Sequence, residues 1–236
     1  HNMPHVPIFA SPRFDGKSAN GVYGDVIEEI DWSVGQIVKT LEAEQLTKKT
    51  IIVFTSDNGP WTMFKEFGGV SGPLRGEKST AWEGGDRVPC IVSWPGKIAP
   101  AVSGQLMVNY DMYATFARLA GATVAKGQAI DSIDFADHWL VGKTGRRTRH
   151  VHYFHQPTAY RSGNYKLHRY TRSRTRNPDT GAREPSVFLK GGLLFDLAND
   201  VGEQSNIAAK HPELVARLKK EFEEAQTAIQ NWKPFH

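Results

Sequence analysis

A single cysteine, Cys90, stands in a chain of 236 residues, which excludes an intramolecular disulfide and any cysteine cluster for zinc. Long apolar runs are missing as well. The longest fall far short of the roughly 20 residues that a membrane-spanning helix needs, so no membrane span is expected. The opening residues, HNMPHVPIFA, show no charged leader followed by an apolar stretch, and no targeting signal is read from them. Charge of one sign is scarce: 29 Lys and Arg against 25 Asp and Glu leave a net charge of +4. That mild excess suits an anionic substrate, gives no ground for a nucleic-acid partner, and comes largely from the stretch Arg169 to Arg176. What the chain does have is 39% hydrophobic content, enough to bury a core in one large domain or one domain with a small appendage.

The most informative stretch is TIIVFTSDNG, Thr50 to Gly59. Ile51, Ile52, Val53 and Phe54 form a continuous apolar, largely β-branched run of the kind a buried strand of an α/β sheet shows. At its end stand Asp57, Asn58 and Gly59. Ligands of such sheets lie outside the carboxyl ends of the strands, and a carboxylate beside a carboxamide offers oxygens that suit a hard cation such as calcium or magnesium. The same residues also make an ordinary Asx-Gly turn.

Upstream, Val22, Val26, Ile30, Val34, Ile37 and Leu41 recur at spacings of three and four, which predicts an amphipathic helix over residues 21–46. A helix leading into a strand is half of a β-α-β crossover, so a mostly parallel sheet is expected. The passage EFGGVSGPLRGEKSTAWEGGDRVP that follows reads as too polar for core and too rich in glycine and proline for a helix, a loop of functional length. A short strand at Cys90 to Trp94 and a helix at about Tyr110 to Ala120, with Met112, Phe116 and Leu119 on one face, complete the first part. From about Thr148 the pieces VHYFHQ, AYRSGNYKLHRY and GLLFDL predict a small antiparallel sheet. It is interrupted by the basic loop RSRTRNPDTGAREP and closed by a helix from Pro212 to about Trp232 carrying Leu214, Leu218 and Phe222. The division between residues 1–145 and 146–236 is placed inside GKTGRRTR.

Together these motifs resemble the formylglycine-dependent sulfatases, over their C-terminal portion. The match runs through PHVP, YGDVIEEIDWSVGQIV, FTSDNG, LRGEKSTAWEGGDRVP, IVSWPGKI, YRSGNYKL and LLFDLANDVGEQSNIA, in the family's order and approximate spacing. The resemblance implies an α/β fold, part of an alkaline-phosphatase-like, mostly parallel sheet flanked by helices, followed by a small α+β subdomain. It implies that Asp57 and Asn58 are ligands of calcium or magnesium, that Lys78 contacts the sulfate and its bridging oxygen, and that His5 faces the leaving-group oxygen. A compact ammonium suits a tetrahedral oxyanion, and an imidazole titrating near neutrality can protonate a departing alkoxide. His1, nearby, is the alternative ring. The expected partner is a small sulfate ester or a sulfated glycan, and a periplasmic, secreted or lysosomal location follows from the same resemblance.

Other residues invite weaker readings. Alternation puts His150 and His152 on one strand face and His155 on the other, poor geometry for a shared metal, so exposed or rim histidines are expected. Trp61 and Trp82 line a pocket for an aromatic or sugar leaving group, or simply pack. Arg161 and Lys166 are read as structural, and Cys90 as a buried core thiol.

The family's nucleophile arises from a C/S-x-P-x-R sequence converted to formylglycine, and the sequence contains no such run. That nucleophile and the remaining metal ligands are expected from a missing N-terminal half, self-association is expected of the exposed sheet edge left without it, and this chain alone is expected to be inactive. Two rivals stand beside the hydrolase. One is a phosphate or phosphonate ester hydrolase of the same superfamily, in which histidine commonly follows the aspartate; Asn58 opposes it. The other is a non-catalytic module that binds sulfated glycans through Arg172, Arg174 and Arg176.

Overall fold

The computed structural model describes residues 6–125, 127, 131–154, 156–171 and 187–230. His1, His5, His155, Arg172, Arg174 and Arg176 lie outside the described residues. In chain order the elements are α1 (Gly21–Ala43), β1 (Ile52–Thr55), α2 (Glu83–Asp86), β2 (Cys90–Ser93), α3 (Asp111–Leu119), α4 (Ala136–Val141), β3 (Arg149–Phe154), β4 (Gln156–Ser162), β5 (Tyr165–Thr171), β6 (Val187–Asp196) and α5 (Pro212–Gln230). The chain divides into two compact units, His1–Val70 with Val88–Arg146, and Ser71–Arg87 with Arg147–His236.

In the first unit, α1 is anchored near its start by Asp25. The carboxylate accepts the backbone N–H groups of Gly16, Lys17 and Ser18 at 2.9, 2.9 and 2.6 Å, which ties the incoming loop to the helix. The Ser18 bond leads the effects that hold this carboxyl below the usual range, against burial, which pushes it up. Gly24 is required beside it, because a Cβ there would lie 2.2 Å from Ser18 Oγ. Downstream, the Asp111 carboxylate at the start of α3 accepts N–H groups from Val108 at 3.0 Å and Ile133 at 2.8 Å. Arg118 pairs with Asp134 and Asp137, linking α3 to α4, a short helix the periodicity analysis missed.

β1 forms where the Ile-Val-Phe run stands, but its partner runs the other way: β1 and β2 pair antiparallel, from Ile52 opposite Ser93 to Thr55 opposite Cys90. A parallel partner joined through α1 would have to precede Gly21, and the described residues there hold no strand. Cys90 is exposed, not the core thiol expected from its apolar neighbours. The reason is local. β2 shows mostly exposed residues: Cys90, Ile91 and Ser93 are open and only Val92 is partly covered.

The second unit is a meander of β3, β4, β5 and β6 in that order, all antiparallel. Strand alternation gives the sheet two different faces. Val151, Tyr160, Leu167 and Leu194 stand opposite one another across the strands, and this row packs against Val215, Leu218 and Phe222 of α5. Tyr160 and Phe222 stack with ring centroids 5.6 Å apart. The helical period predicted for α5 thus meets the strand period of the sheet, and the core sits between them. Rows of the opposite face read His150, Arg161, Lys166, Phe195 and His152, Ala159, His168, Leu193. That face is basic, and it is nevertheless buried.

Candidate functional site

The cover for the basic face is the segment Ser71–Arg87, part of the passage whose composition reads as too polar for core and too rich in glycine and proline for a helix. The structure corrects this: Thr80 through Gly85 are buried and Glu83–Asp86 make one helical turn. The glycines cause it. A Cβ on Gly84 would stand 2.6 Å from the carbonyl oxygens of Arg75 and Gly76, and one on Gly85 would stand 2.3 Å from Thr80 O and 2.5 Å from Glu77 O. Only a backbone without side chains coils so tightly on itself.

Charge makes the cover fit. Lys166 Nζ donates to Glu83 Oε1 at 2.8 Å and lies 3.6 Å from Glu203 Oε1, while His168 Nε2 meets the same Glu203 oxygen at 2.7 Å. The other Glu203 oxygen accepts the Glu83 backbone N–H at 2.7 Å. Arg75 donates to the Glu203 carbonyl at 2.9 Å, and its guanidinium lies 3.8 Å from the ring centre of Trp82. Trp82 in turn packs on His168 at 4.1 Å. So the reading of Trp82 as packing holds within this unit, as does the structural reading of Lys166. Burial pushes the Glu83 carboxyl up, but Lys166 outweighs it, with help from Arg161 and Arg87, and holds the group below the usual carboxylate range. Burial also pushes His168 below the ordinary histidine value, although its bond to Glu203 pulls the other way.

His150 and His152 share a face, as alternation requires, with rings 4.6 Å apart. His152 is not an exposed rim residue, however. It is buried, and its Nδ1 lies 2.6 Å from Asp86 Oδ2. The sequence reading missed this pair and the acidic partners Glu83 and Glu203. The signal was present: cationic side chains at alternate positions of two adjoining strands demand carboxylates from whatever covers them.

Lys78 sits at the corner of a turn in the same segment. Thr80 closes it, its N–H and its hydroxyl both donating to Glu77 O at 3.1 and 2.6 Å, and Ser79 takes the left-handed conformation with φ +68°. In the first unit, Asp57 and Asn58 follow β1. Asp57 is exposed, and Asn58 ties its amide nitrogen to Gly59 O at 2.9 Å, leaving Oδ1 as the atom available to a cation. These donors fit a hard metal ion in kind. They do not complete a site, for among the described residues no group of three or more His, Cys, Asp or Glu stands ready for a metal. Lys78 and the Asp57–Asn58 pair belong to different units.

A family model described as Sulfatase matches residues 2–122, and one described as C-terminal region of aryl-sulfatase matches residues 146–234. Arylsulfatase A of Bos taurus is 37% identical over 216 residues, 86% of this chain and 42% of that protein. An N-acetylgalactosamine-6-O-sulfatase of Bacteroides thetaiotaomicron is 35% identical over 239 residues, 94% of this chain and 45% of that protein. Among solved structures, PsFucS1 sulfatase from Pseudoalteromonas sp. superimposes with a TM-score of 0.87 at 27% identity, covering 99% of this chain and 48% of that one. The chain therefore spans less than half the length of these relatives. Its α/β architecture with an antiparallel C-terminal subdomain is that of these structures.

Proposed function

Since this chain belongs to the sulfatase family, we propose that it forms part of a sulfuric ester hydrolase: residues 1–145 the C-terminal part of the catalytic domain, residues 146–236 a small antiparallel-sheet and helix subdomain. Asp57 and Asn58 would hold calcium or magnesium through their side-chain oxygens. When bound, such an ion supplies Lewis-acid polarisation of the sulfate oxygens. The nucleophile, a hydrated formylglycine aldehyde, is expected from a segment that this sequence does not contain. Lys78 directs its ammonium donors at the sulfuryl and bridging oxygens, whose charge grows as the sulfur–oxygen bond breaks. His5 gives a proton to the departing alcohol oxygen.

The observation that carries this reading is the oxygen-donor pair at the carboxyl end of β1, with the Asn58 amide nitrogen turned back on its own loop. Asparagine in that position also supports sulfate over phosphate chemistry, because a second transition metal would want a nitrogen donor there. The substrate is a sulfate monoester of a phenol, a monosaccharide or a glycan. Similarity to an N-acetylgalactosamine-6-O-sulfatase supports a sulfated sugar, and an exported or lysosomal setting goes with such substrates. Among the described residues no helix is long and apolar enough to cross a membrane.

The test compares a sulfate ester with the matching phosphate ester, using a polypeptide that carries both this chain and a formylglycine segment. Sulfate turnover that disappears in Asp57→Ala and Lys78→Ala is expected; a preference for the phosphate ester sinks the reading. The 236-residue polypeptide by itself is expected to turn over no aryl sulfate. Salt-sensitive binding of a sulfated glycan that survives Asp57→Ala, and fails when Arg172, Arg174 and Arg176 are neutralised, favours the binding module instead.

A further inference from the structure

His152 is set apart from its neighbours on the basic face. It is 5% exposed, its Nδ1 is held by Asp86, and its Nε2 is buried with no hydrogen-bond partner among the described residues. A buried ring nitrogen in that condition costs free energy whether or not it carries a proton. Asp86 ends α2 and leaves 39% of its side chain open, so solvent protons reach the pair through the carboxylate.

Charged and titratable groups face the pair from every element around it: Glu83 of α2, His150 of β3, Arg161 of β4, Lys166 and His168 of β5, and Glu203 after β6, with Arg87, just past α2, acting on Glu83. Burial pushes His152 well below the ordinary histidine value, and Lys166, His150, His168 and Arg161 push the same way. Desolvation raises Asp86 to about 6; Lys166 opposes the rise, and Glu83 and Glu203 add to it. Two groups so close titrate as a unit.

Connectivity decides where the added proton is felt. Before uptake, the carboxylate accepts from Nδ1–H and Nε2 carries a bare lone pair. After uptake, the pair is a carboxylate with an imidazolium, a carboxylic acid donating to Nδ1, or a carboxylic acid with its proton on Oδ1 while Nδ1–H still donates to Oδ2. All three remove one negative charge beside Glu83, and the first two also put hydrogen on Nε2, turning a buried acceptor into a buried donor.

We propose that Asp86 and His152 are positioning residues for Lys78: a proton-uptake pair between α2 and β3 whose protonation state sets the Glu77–Thr80 turn. The route is short. Gly85, next to Asp86, has its α-carbon packed so closely on the Thr80 and Glu77 carbonyls that a Cβ would stand within 2.5 Å of both, and those carbonyls bracket Lys78. The inference rests on Lys78 being the sulfate-binding lysine, but its test uses no sulfate ester.

The test is a titration of the 15N-labelled chain by nuclear magnetic resonance from about pH 8 to about pH 4.5. The His152 Nε2 resonance is expected to move from its unprotonated to its protonated position as the pair takes up its proton, and the Lys78 amide to follow with the same midpoint. Asp86→Asn and His152→Gln are each expected to abolish that midpoint at Lys78, while the amide of Leu218 in the far core stays in place. An Nε2 that does not change protonation, or a Lys78 amide that does not follow it in the wild-type chain, overturns the proposal even where a variant fails to fold. Either result leaves the assignment of sulfate-ester turnover to be decided by its own assay.

Discussion

Lys166 Nζ and Glu83 Oε1 meet at 2.8 Å with both side chains buried, one from the centre of the antiparallel sheet and the other from the segment that presents Lys78. A charge so far from water is tolerated because its partner is there, and removing either leaves the other stranded. Lys166→Met is therefore expected to cost about 3–5 kcal/mol in denaturant unfolding. Adding Glu83→Gln is expected to recover a large part of that. If the double variant is as unstable as the sum of the singles, the two residues are not an interacting pair.

Stability should fall in acid, with signs set by the buried groups. His168 lies below its ordinary value of 6.5 in the fold, so its contribution is complete above that pH and is lost as pH falls below it. Glu83 lies below its ordinary value of 4.5, so its contribution is lost as pH falls from there toward its folded value. Asp86, raised to about 6, acts in the opposite sense, and the strain of its charge is relieved on acidification through that pH. Calorimetric scans should show Tm declining below pH 6.5, and His168→Gln should flatten the decline. An unchanged slope in that variant excludes His168 as its source.

Backbone geometry makes its own prediction. A methyl group on Gly85 would collide with Thr80 O at 2.3 Å, whereas one on Gly104 meets nothing within 4 Å. Gly85→Ala is expected to lose roughly 1–3 kcal/mol through displaced backbone, and Gly104→Ala to stay within about 0.5 kcal/mol of the parent. Equal melting of the two would show that the turn yields freely.

Phe54 and Ile91 are opposite one another across β1 and β2, and they are 40% and 62% exposed. Paired apolar side chains on a short two-stranded ribbon favour association. Sedimentation velocity of the chain is expected to show self-association that weakens in Ile91→Lys. A monomer at every concentration, silent toward a hydrophobic dye, argues against it.

Much of this protein was legible from residues alone, because short-range periodicities need no partner to be recognised. The three-and-four spacing of α1 and α5, the Ile-Val-Phe run of β1 and the alternating pieces of the C-terminal sheet all became the elements they suggested. The metal and sulfate candidates Asp57, Asn58 and Lys78 were visible as motif positions of a recognisable family. What periodicity could not reach was pairing between distant segments. Glu83 and Asp86 stand in a glycine-rich passage whose sequence shows no partner for them; Lys166 and His152, 83 and 66 positions away in the chain, are brought opposite them only by the fold. Likewise Cys90 read as core until β2 was found to have mostly exposed residues. Local order follows from the backbone and the nearest neighbours in sequence, so the chain carries it openly. Burial of charge depends on which remote group arrives to neutralise it, and only the folded chain decides that.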